Sequence, residues 1–476
     1  MAWFRGGLAS VALGLVLSFA VFVPARAEPM AELLSDFIKN NDKIKAAEAD
    51  LEAAQQRGKA AYGAWYPSFK AVAWTGRQHI SSTNHRPKEL DLTLTQLIYD
   101  FGSTTSKVEV AKLTTTQAEL ALTAARQSAL LEAATAYIQI TRYAEALKNA
   151  RESVASIQKQ TGLEEARVQL GGGYSTDVLQ AKAQLSTAER QRVAAELDFT
   201  QAINRFRAVF KREPGDLSTF HRIQVPMDRL PASIDAAIDI AGEHNPTIQA
   251  SFLATAIARE NIVGARADGF FPKVEFVADH KSKNEEGGVA GNKKDTVLKG
   301  QVTWPFNLGL TAINTLKAAE ASDSASVSRL NDARITVSEL VRNSWERLGS
   351  KKTSASIARN EVALAAEFLE LARRERALGK RSLIDVLSGE TVHRTALTAA
   401  VGEEADLVVS AFTLLTAMGQ IKDEDIVRVA EDPQPAPEKA KPKAPGAGAT
   451  KAQGPEATKA QGPEATKAPG AGAAAP

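Results

Sequence analysis

Residues able to do covalent chemistry are sparse and unpaired in this chain. The six histidines, His79, His85, His221, His244, His280 and His393, are scattered, and no two stand at the spacing by which one helix face presents ligands to zinc. Cysteine is absent, which excludes disulfides, thiolate metal sites, thiol nucleophiles and a lipidated N-terminal cysteine. No Gly-x-Ser-x-Gly elbow, His/Asp grouping or phosphate loop occurs. The expectation is a protein without catalytic residues, cofactor or metal. What does recur is electrostatic. Gly171 precedes Asp177-Val178-Leu179, and Gly379 precedes Asp385-Val386-Leu387 at the same spacing. In each, a glycine can break a helix through a left-handed turn, and a carboxylate stands where the next helix begins. Ser382-Leu-Ile-Asp385 also fits an ordinary capping box.

The elements that carry these turns must be long. No proline lies between Pro87 and Pro214, or between Pro305 and Pro433, and proline costs ~3 kcal/mol inside a helix. A helix from about 103 to 170 would be roughly 100 Å long at ~1.5 Å per residue, so it needs lateral packing. Ile140, Leu147, Val154 and Val168 form a seven-residue ladder that Thr161 interrupts; Ala358, Val362, Ala365, Leu369 and Ala372 alternate in steps of four and three. These are coiled-coil seams. A second row, Ile357, Leu364, Leu371 and Leu378, runs beside the last and suggests neighbours on both sides. The core of an antiparallel bundle would show the same seams.

The chain is written twice. Asn41-Asp-Lys-Ile44 matches Asn245-Pro-Thr-Ile248, Trp65-Tyr-Pro67 matches Phe270-Phe-Pro272, Leu94-Thr95 matches Val302-Thr303, and the glycine–aspartate motifs match each other, all separated by 204–208 residues. Each half reads helix, strand, polar loop, strand, helix. In the first half a strand places Phe69, Ala71 and Ala73 on one face, residues 81–89 form a loop, and 90–95 alternate strictly. The second half has a strand near 273–281, a polar loop 282–296, and a strand setting Leu298, Val302 and Trp304 opposite Lys299, Gln301 and Thr303. Residues 28–212 and 234–431 are thus two repeats joined by a proline-bearing linker, 213–233. Aromatics mark strand starts (Trp65, Tyr66, Phe270, Phe271) and strand ends (Tyr99, Phe101, Trp304, Phe306). They suit either a membrane-interface girdle or the cap of a soluble β-core.

The ends of the chain read differently. Residues 1–27 combine Arg5, an apolar stretch from Leu8 to Val23 and Ala25-Arg26-Ala27, which predicts a cleaved secretory signal. Removing them takes away Arg5 and Arg26 and leaves acids and bases equal in number, against a nucleic-acid binder. No later apolar run reaches the ~18 residues of a spanning helix. Four amphipathic strands cannot close a barrel alone: unpaired edge groups are prohibitive in lipid and barrels begin at about eight strands, so a barrel needs several copies. Residues 432–476 are rich in Pro, Ala, Gly and Lys, with AQGPEATK repeated in tandem, and predict a disordered tail.

Taken together, the duplicated helix–strand–strand–helix unit, Pro67 and Pro272 at the strand entries, Leu94-Thr-Gln-Leu-Ile-Tyr-Asp100 and the paired glycine–aspartate tips resemble the TolC-like outer-membrane efflux and secretion channel family over about 31–420. The resemblance implies a mainly α fold with β: a long α-helical coiled-coil barrel plus a transmembrane β-barrel completed by trimerisation, four strands per chain. It implies a non-enzymatic homotrimer in outer-membrane lipid with its helical part in the periplasm, docked through a periplasmic adaptor to an inner-membrane ABC or proton-driven transporter. Matching positions imply a periplasmic gate, with Thr176 and Asp177 as acceptors, Arg381 as donor and Asp385 in an acidic ring. Two positions depart from the family: Arg376 replaces a tyrosine, opening the way to an Arg376–Asp177 ion pair, and Ser388 replaces the second ring acid. The cysteine-free chain tilts the analogy toward type I protein secretion over multidrug efflux. A periplasmic adaptor is the more distant alternative, and it lacks a reason for a duplicated hairpin.

Overall fold

The computed structural model describes residues 30–426 except 81, 217–219, 221, 222, 287, 288, 290 and 307. The expected signal segment 1–27 and tail 432–476 lie outside the described residues. Helices α1 (Met30–Asn40) and α2 (Asp42–Tyr62) lead into strand β1 (Ser68–Thr75), a small hairpin β2 (Gln78–Ile80) and β3 (Thr83–His85), and β4 (Lys88–Tyr99). Then come α3 (Ser103–Gln169) and α4 (Ser175–Phe210). The order repeats with α5 (Ile234–His244), α6 (Pro246–Phe270), β5 (Lys273–Asn284), β6 (Asn292–Thr303), α7 (Thr311–Ala377) and α8 (Leu383–Ala417).

Local chemistry sets the element ends. Asn41 caps α2 by accepting from Lys43 N and Ile44 N, and its repeat partner Asn245 caps α6 from Thr247 N, with Pro246 at the first helical position. Asp100 accepts from Thr104 N at 2.7 Å and opens α3. Both α3 and α7 then run 67 residues, about 100 Å each. Mean amphipathicity over such a length is small, because the buried stripe drifts around the helix as its neighbours change.

The main core lies midway along the long helices. There α1, α5 and the segment after α8 pack against the middle of α3 and the C-terminal turns of α4 and α8, burying Leu34, Ile140, Phe206, Phe412, Leu415, Met418 and Ile426. Nearer the turns, Ile157, Ala181, Ala188, Leu383 and Leu387 join α3 and α4 to α8. The seam residues Ile140, Leu147, Ala358, Ala365, Leu369 and Ala372 are buried. Thr161 does not break its ladder as expected: it is buried, with its hydroxyl donating to Ile157 O at 2.9 Å. That bond satisfies the one group that would have made it unfit for the seam. The second row, Ile357, Leu364, Leu371 and Leu378, is exposed.

β1, β4, β5 and β6 form one antiparallel sheet in the order β1-β4-β5-β6. Both expected polar loops are shorter than the sequence suggests. β4 starts at Lys88, residues within 81–89 fold into β3, and β5 and β6 run on to Asn284 and from Asn292. Charges that made these stretches look like loops meet across the strands: Lys283 on β5 pairs with Glu89 on β4 at 3.2 Å, and one pair of positions along Lys281 faces Asp91. Residues 213–233 are likewise more than a spacer. Phe220 stacks on Tyr137 at 4.9 Å, Ile223 is buried, and Arg229 pairs with the buried Asp425 at 3.0 Å.

Candidate functional site

Two regions bring charged or aromatic residues together: the helix turns and the sheet. At the turns, α3 ends with Gly171 at φ +83° and α7 with Gly379 at φ +72°. Gly172 N donates to Arg167 O, and Lys380 N to Glu375 O, closing each end as a Schellman turn. Ser382 caps α8 by accepting from Asp385 N at 3.2 Å. The hydroxyl half of the capping box is therefore present.

The charges at the turns do not pair as anticipated. Arg376 donates to Glu164 at 2.6 Å and to the Arg381 carbonyl at 3.3 Å, not to Asp177. Glu164 is only 5% exposed, so its carboxylate gains most from a counter-charge. Asp177, half-buried in the first turn of α4, already sits at the positive end of that helix. Thr176 is exposed beside it. Arg381 pairs with Glu375 at 3.0 Å and more loosely with Asp385 at 3.7 Å, and lies 5.0 Å from the Phe368 ring. The structure thus groups Arg376, Arg381 and Asp385, whereas Thr176 and Asp177 make no hydrogen bond or ion pair with them among the described residues. Gly173 is a residue the motif hid: a Cβ there would stand 3.2 Å from Glu164 Oε1 and 3.0 Å from Val168 Cγ2. Its missing side chain lets the turn fold back beside the buried carboxylate.

Farther along the helices, two more charge clusters tie α3 to α7 and α8. Glu390, fully buried on α8, takes Arg373 from α7 and Arg394 from its own helix, and Arg394 continues to Glu152 on α3 at 2.6 Å. Beyond it, Arg142 on α3 and Lys351 on α7 both reach Asp406 on α8 at 2.9 Å, and Lys351 also reaches Glu403 at 3.0 Å. Asp406 and Glu403 hold the Lys351 ammonium above its ordinary value. Burial pushes the His393 imidazole down, and Arg394 adds to this. Between these clusters an open groove of about 600 Å³ runs among α3, α4 and α8, past Asn149, Gln191 and Thr398. The only sequence trace of this ladder is the four-residue step from Glu390 to Arg394, because its other partners are remote in the chain.

The sheet separates its chemistry by face. Strand register puts Glu89, Asp91, Thr93, Asp279, Lys281, Lys283, Lys293, Asp295 and Lys299 on one side. The other carries Phe69, Leu90, Leu92, Leu94, Phe276, Leu298 and Val302. Antiparallel pairing also gathers the aromatics. Those before β1 and β5 and those after β4 and β6 all come to one end of the sheet, where Ser68 faces Thr95 and Lys273 faces Thr303. Phe101 touches Tyr99 at 4.7 Å and stacks on Phe271 at 5.0 Å. Trp304 Nε1 donates to Phe270 O at 3.2 Å, its ring lies 5.1 Å from Phe306, and Gln96 donates to Trp65 O. Tyr66 is exposed beside them. The opposite end holds His79, bonded to Asn84, and His280, bonded to Thr296.

Among the described residues, no helix is long and apolar enough to cross a membrane and no group of three or more acids and histidines could hold a metal. A profile of the outer membrane efflux protein family matches residues 33–210 and 237–420. Outer membrane efflux protein BepC of Brucella suis is 25% identical over 416 residues, 86% of this chain and 90% of its own. Outer membrane protein TolC of Escherichia coli is 21% identical, over 88% and 89%. The outer membrane protein VceC of Vibrio cholerae superposes with a TM-score of 0.69 at 18% identity, covering 82% of this chain and 95% of that one.

Proposed function

Because this chain belongs to the outer membrane efflux protein family, we propose that it works as a homotrimer serving protein export with an ABC-type transporter and a periplasmic adaptor. As a family member it is an outer-membrane efflux channel of a tripartite system, with its sheet in the outer membrane and its helices in the periplasm. The observation that carries the trimer is the pair of open sheet edges. β1 and β6 each pair on one side only among the described residues. In hydrocarbon every unpaired edge group costs several kcal/mol, so the sheet must close. Three copies of a four-stranded sheet make a barrel of ordinary size. The charged face then lines the bore and the apolar face meets lipid. The exposed row Ile357, Leu364, Leu371 and Leu378 is a lateral contact waiting for the next copy.

Within this reading the aromatic belt of Trp65, Tyr66, Tyr99, Phe270, Phe271, Trp304 and Phe306 sits at the periplasmic interface of the membrane. The glycine turns Gly171 and Gly379 form the far end of the periplasmic passage. Thr176, Asp177, Arg376, Arg381 and Asp385 act there as a gate, together with Glu164, the ion-pair partner of Arg376. The protein supplies a conduit, and the energy comes from the transporter. Protein export is favoured over drug efflux because a cysteine-free chain carries no thioether lipid.

Two measurements test this. Full-length protein run unboiled on a gel should migrate as a trimer and form channels in planar bilayers; a monomer without conductance would refute the channel. A deletion strain should stop releasing the ABC-exported protein into the medium while its susceptibility to dyes and detergents stays within twofold. Hypersensitivity with intact secretion would reassign the substrate class.

A further inference from the structure

β1 and β6 are the open edges of the sheet, and the backbone groups free on each can be assigned. Gly76 N donates to Pro87 O at 3.2 Å, one rung beyond Thr75–Lys88, so the even-numbered residues of β1 turn their N–H and C=O toward β4. Those of Phe69, Ala71, Ala73 and Thr75 point outward. Glu285 N donates to Gly291 O at 3.1 Å, one rung beyond Asn284–Asn292, so the odd-numbered residues of β6 serve β5. Those of Thr296, Leu298, Gly300 and Val302 point outward. All eight outward residues also carry their side chains on the apolar face. Three antiparallel steps separate β1 from β6, so β6 laid against β1 of the next copy is antiparallel as well. Such a seam satisfies the backbone and keeps both faces continuous when odd residues of β1 meet even residues of β6.

Parity leaves registers two residues apart, and the repeat and the barrel choose among them. The apolar runs Phe69–Ala73 and Leu90–Leu94 lie directly opposite each other, as do Val274–Ala278 and Leu298–Val302. Because Leu94 faces Ala278 and Leu90 faces Ser282, the second pair stands four residues nearer the aromatic end. A seam without a step would keep this shift at four residues per copy, and a seam stepping as the repeats do would make it eight. Parity allows six between them. With twelve strands spaced ~4.8 Å and rising ~3.3 Å per residue, the three shifts correspond to strand tilts of about 35°, 45° and 55°. The largest exceeds the 35–45° typical of barrels. The smallest would lay β5, β6 and the next copy's β1 and β4 flush and put the whole climb at the β4–β5 joint, whereas strands of one barrel share a tilt. Six residues per copy set Phe69 opposite Trp304, Ala71 opposite Val302, Ala73 opposite Gly300 and Thr75 opposite Leu298 on the lipid side. On the bore side Lys70 meets Thr303, Val72 meets Gln301, and Trp74 meets Lys299. Phe69 thereby joins the neighbour's aromatic belt, and Trp74 with Lys299 makes an aromatic–cation pair. Pro305, which has no N–H, falls opposite Ser68, whose own N–H is turned to β4.

We propose that copies of this chain join through this one ladder, β1 of each against β6 of the next, with Val72 facing Gln301. The inference rests on the trimer reading and fixes its seam. Cysteine is absent from the chain, so a crosslink reports an introduced pair alone. Full-length Val72→Cys/Gln301→Cys, Val72→Cys/Lys299→Cys and Val72→Cys/Thr303→Cys would be oxidised in outer membranes with copper phenanthroline, then boiled and run without reductant. β4 and β5 lie between β1 and β6 of one copy, so any disulfide joins two copies. Facing Cβ atoms stand about 4.5–5.5 Å apart and diagonal ones about 7–8 Å, whereas a disulfide needs about 3.5–4.5 Å. The Gln301 pair should therefore give at least fivefold more covalent trimer than either shifted pair. If that set does not assemble, Lys70→Cys/Thr303→Cys against Lys70→Cys/Gln301→Cys is read in the same way. Crosslinking strongest in a shifted pair, or absent from a variant that runs unboiled as a trimer, overturns the register and leaves the trimer standing. Unboiled wild type showing only monomer would remove the trimer reading and the register with it.

Discussion

Glu164 and Arg376, 212 residues apart, meet at 2.6 Å and tie α3 to α7 just above the two glycine turns. Their side chains are 6% and 21% exposed, so the pair is shielded from the water that makes surface ion pairs weak. Leaving a buried carboxylate without its partner costs about 3–5 kcal/mol in full burial, and about half of that is reasonable where the guanidinium is partly wet. Arg376→Gln should therefore raise the open probability in planar bilayers about tenfold or more. The swap Glu164→Arg/Arg376→Glu should restore closure. Bilayer currents as quiet as those of the wild type would mean that this pair is only a packing contact.

The Glu390 cluster is expected to act on stability. Its carboxylate is wholly buried and serves two arginines, one of which continues to Glu152. Glu390→Gln keeps the shape but removes the charge, leaving Arg373 and Arg394 facing each other. A loss of about 2–4 kcal/mol is expected, read as a lower thermal midpoint in detergent. Glu390→Gln combined with Arg373→Met should recover part of it, since the repulsion is then gone.

His393 sets an acid limb. Burial holds its imidazole below the ordinary 6.5, and the Arg394 and Arg373 charges outweigh the Glu390 carboxylate in the same direction. The unfolded chain then binds a proton more readily than the folded one. The stability this supplies is present above about pH 6.5 and is lost as pH falls through the folded value. Between about pH 6.5 and 5 the midpoint of His393→Gln should fall less steeply than that of the wild type. Parallel curves would show that the fold does not lower the His393 imidazole.

Gly419 closes α8 at φ +73°, and a Cβ there would lie 2.5 Å from the His244 carbonyl oxygen. Neither atom belongs to a flexible side-chain end, so Gly419→Ala must shift the α5–α6 junction. Left-handed backbone and overpacking together cost about 2–4 kcal/mol. The variant should show a lower midpoint and a lower yield of trimer on an unboiled gel. Gly215→Ala, where a Cβ meets nothing, is the control.

Asp385 bears on selectivity. Its backbone is fixed by the Ser382 cap, and its exposed carboxylate reaches Arg381 only at 3.7 Å, which leaves its charge largely uncompensated. Asp385→Ala should reduce cation preference and relieve block by multivalent cations in single-channel recordings. Selectivity equal to the wild type would take Asp385 out of the gate.

Much of the architecture was legible because its signals are local. Proline-free stretches, seven-residue ladders and glycine–aspartate turns specify long helices and where they reverse, and α3 spans Ser103–Gln169 where the sequence suggested about 103 to 170. Strand alternation likewise gave the two faces of the sheet. What needed the tertiary structure was partner choice. Arg376 takes Glu164 rather than Asp177 because helices far apart in sequence lie side by side and one carboxylate is buried. The aromatics form a single belt because antiparallel neighbours bring strand starts beside strand ends. The polar stretches at 81–89 and 282–296 add length to the strands because their lysines and acids face each other across the sheet. Periodicity is carried by each segment alone, whereas the worth of a charge depends on what is packed against it.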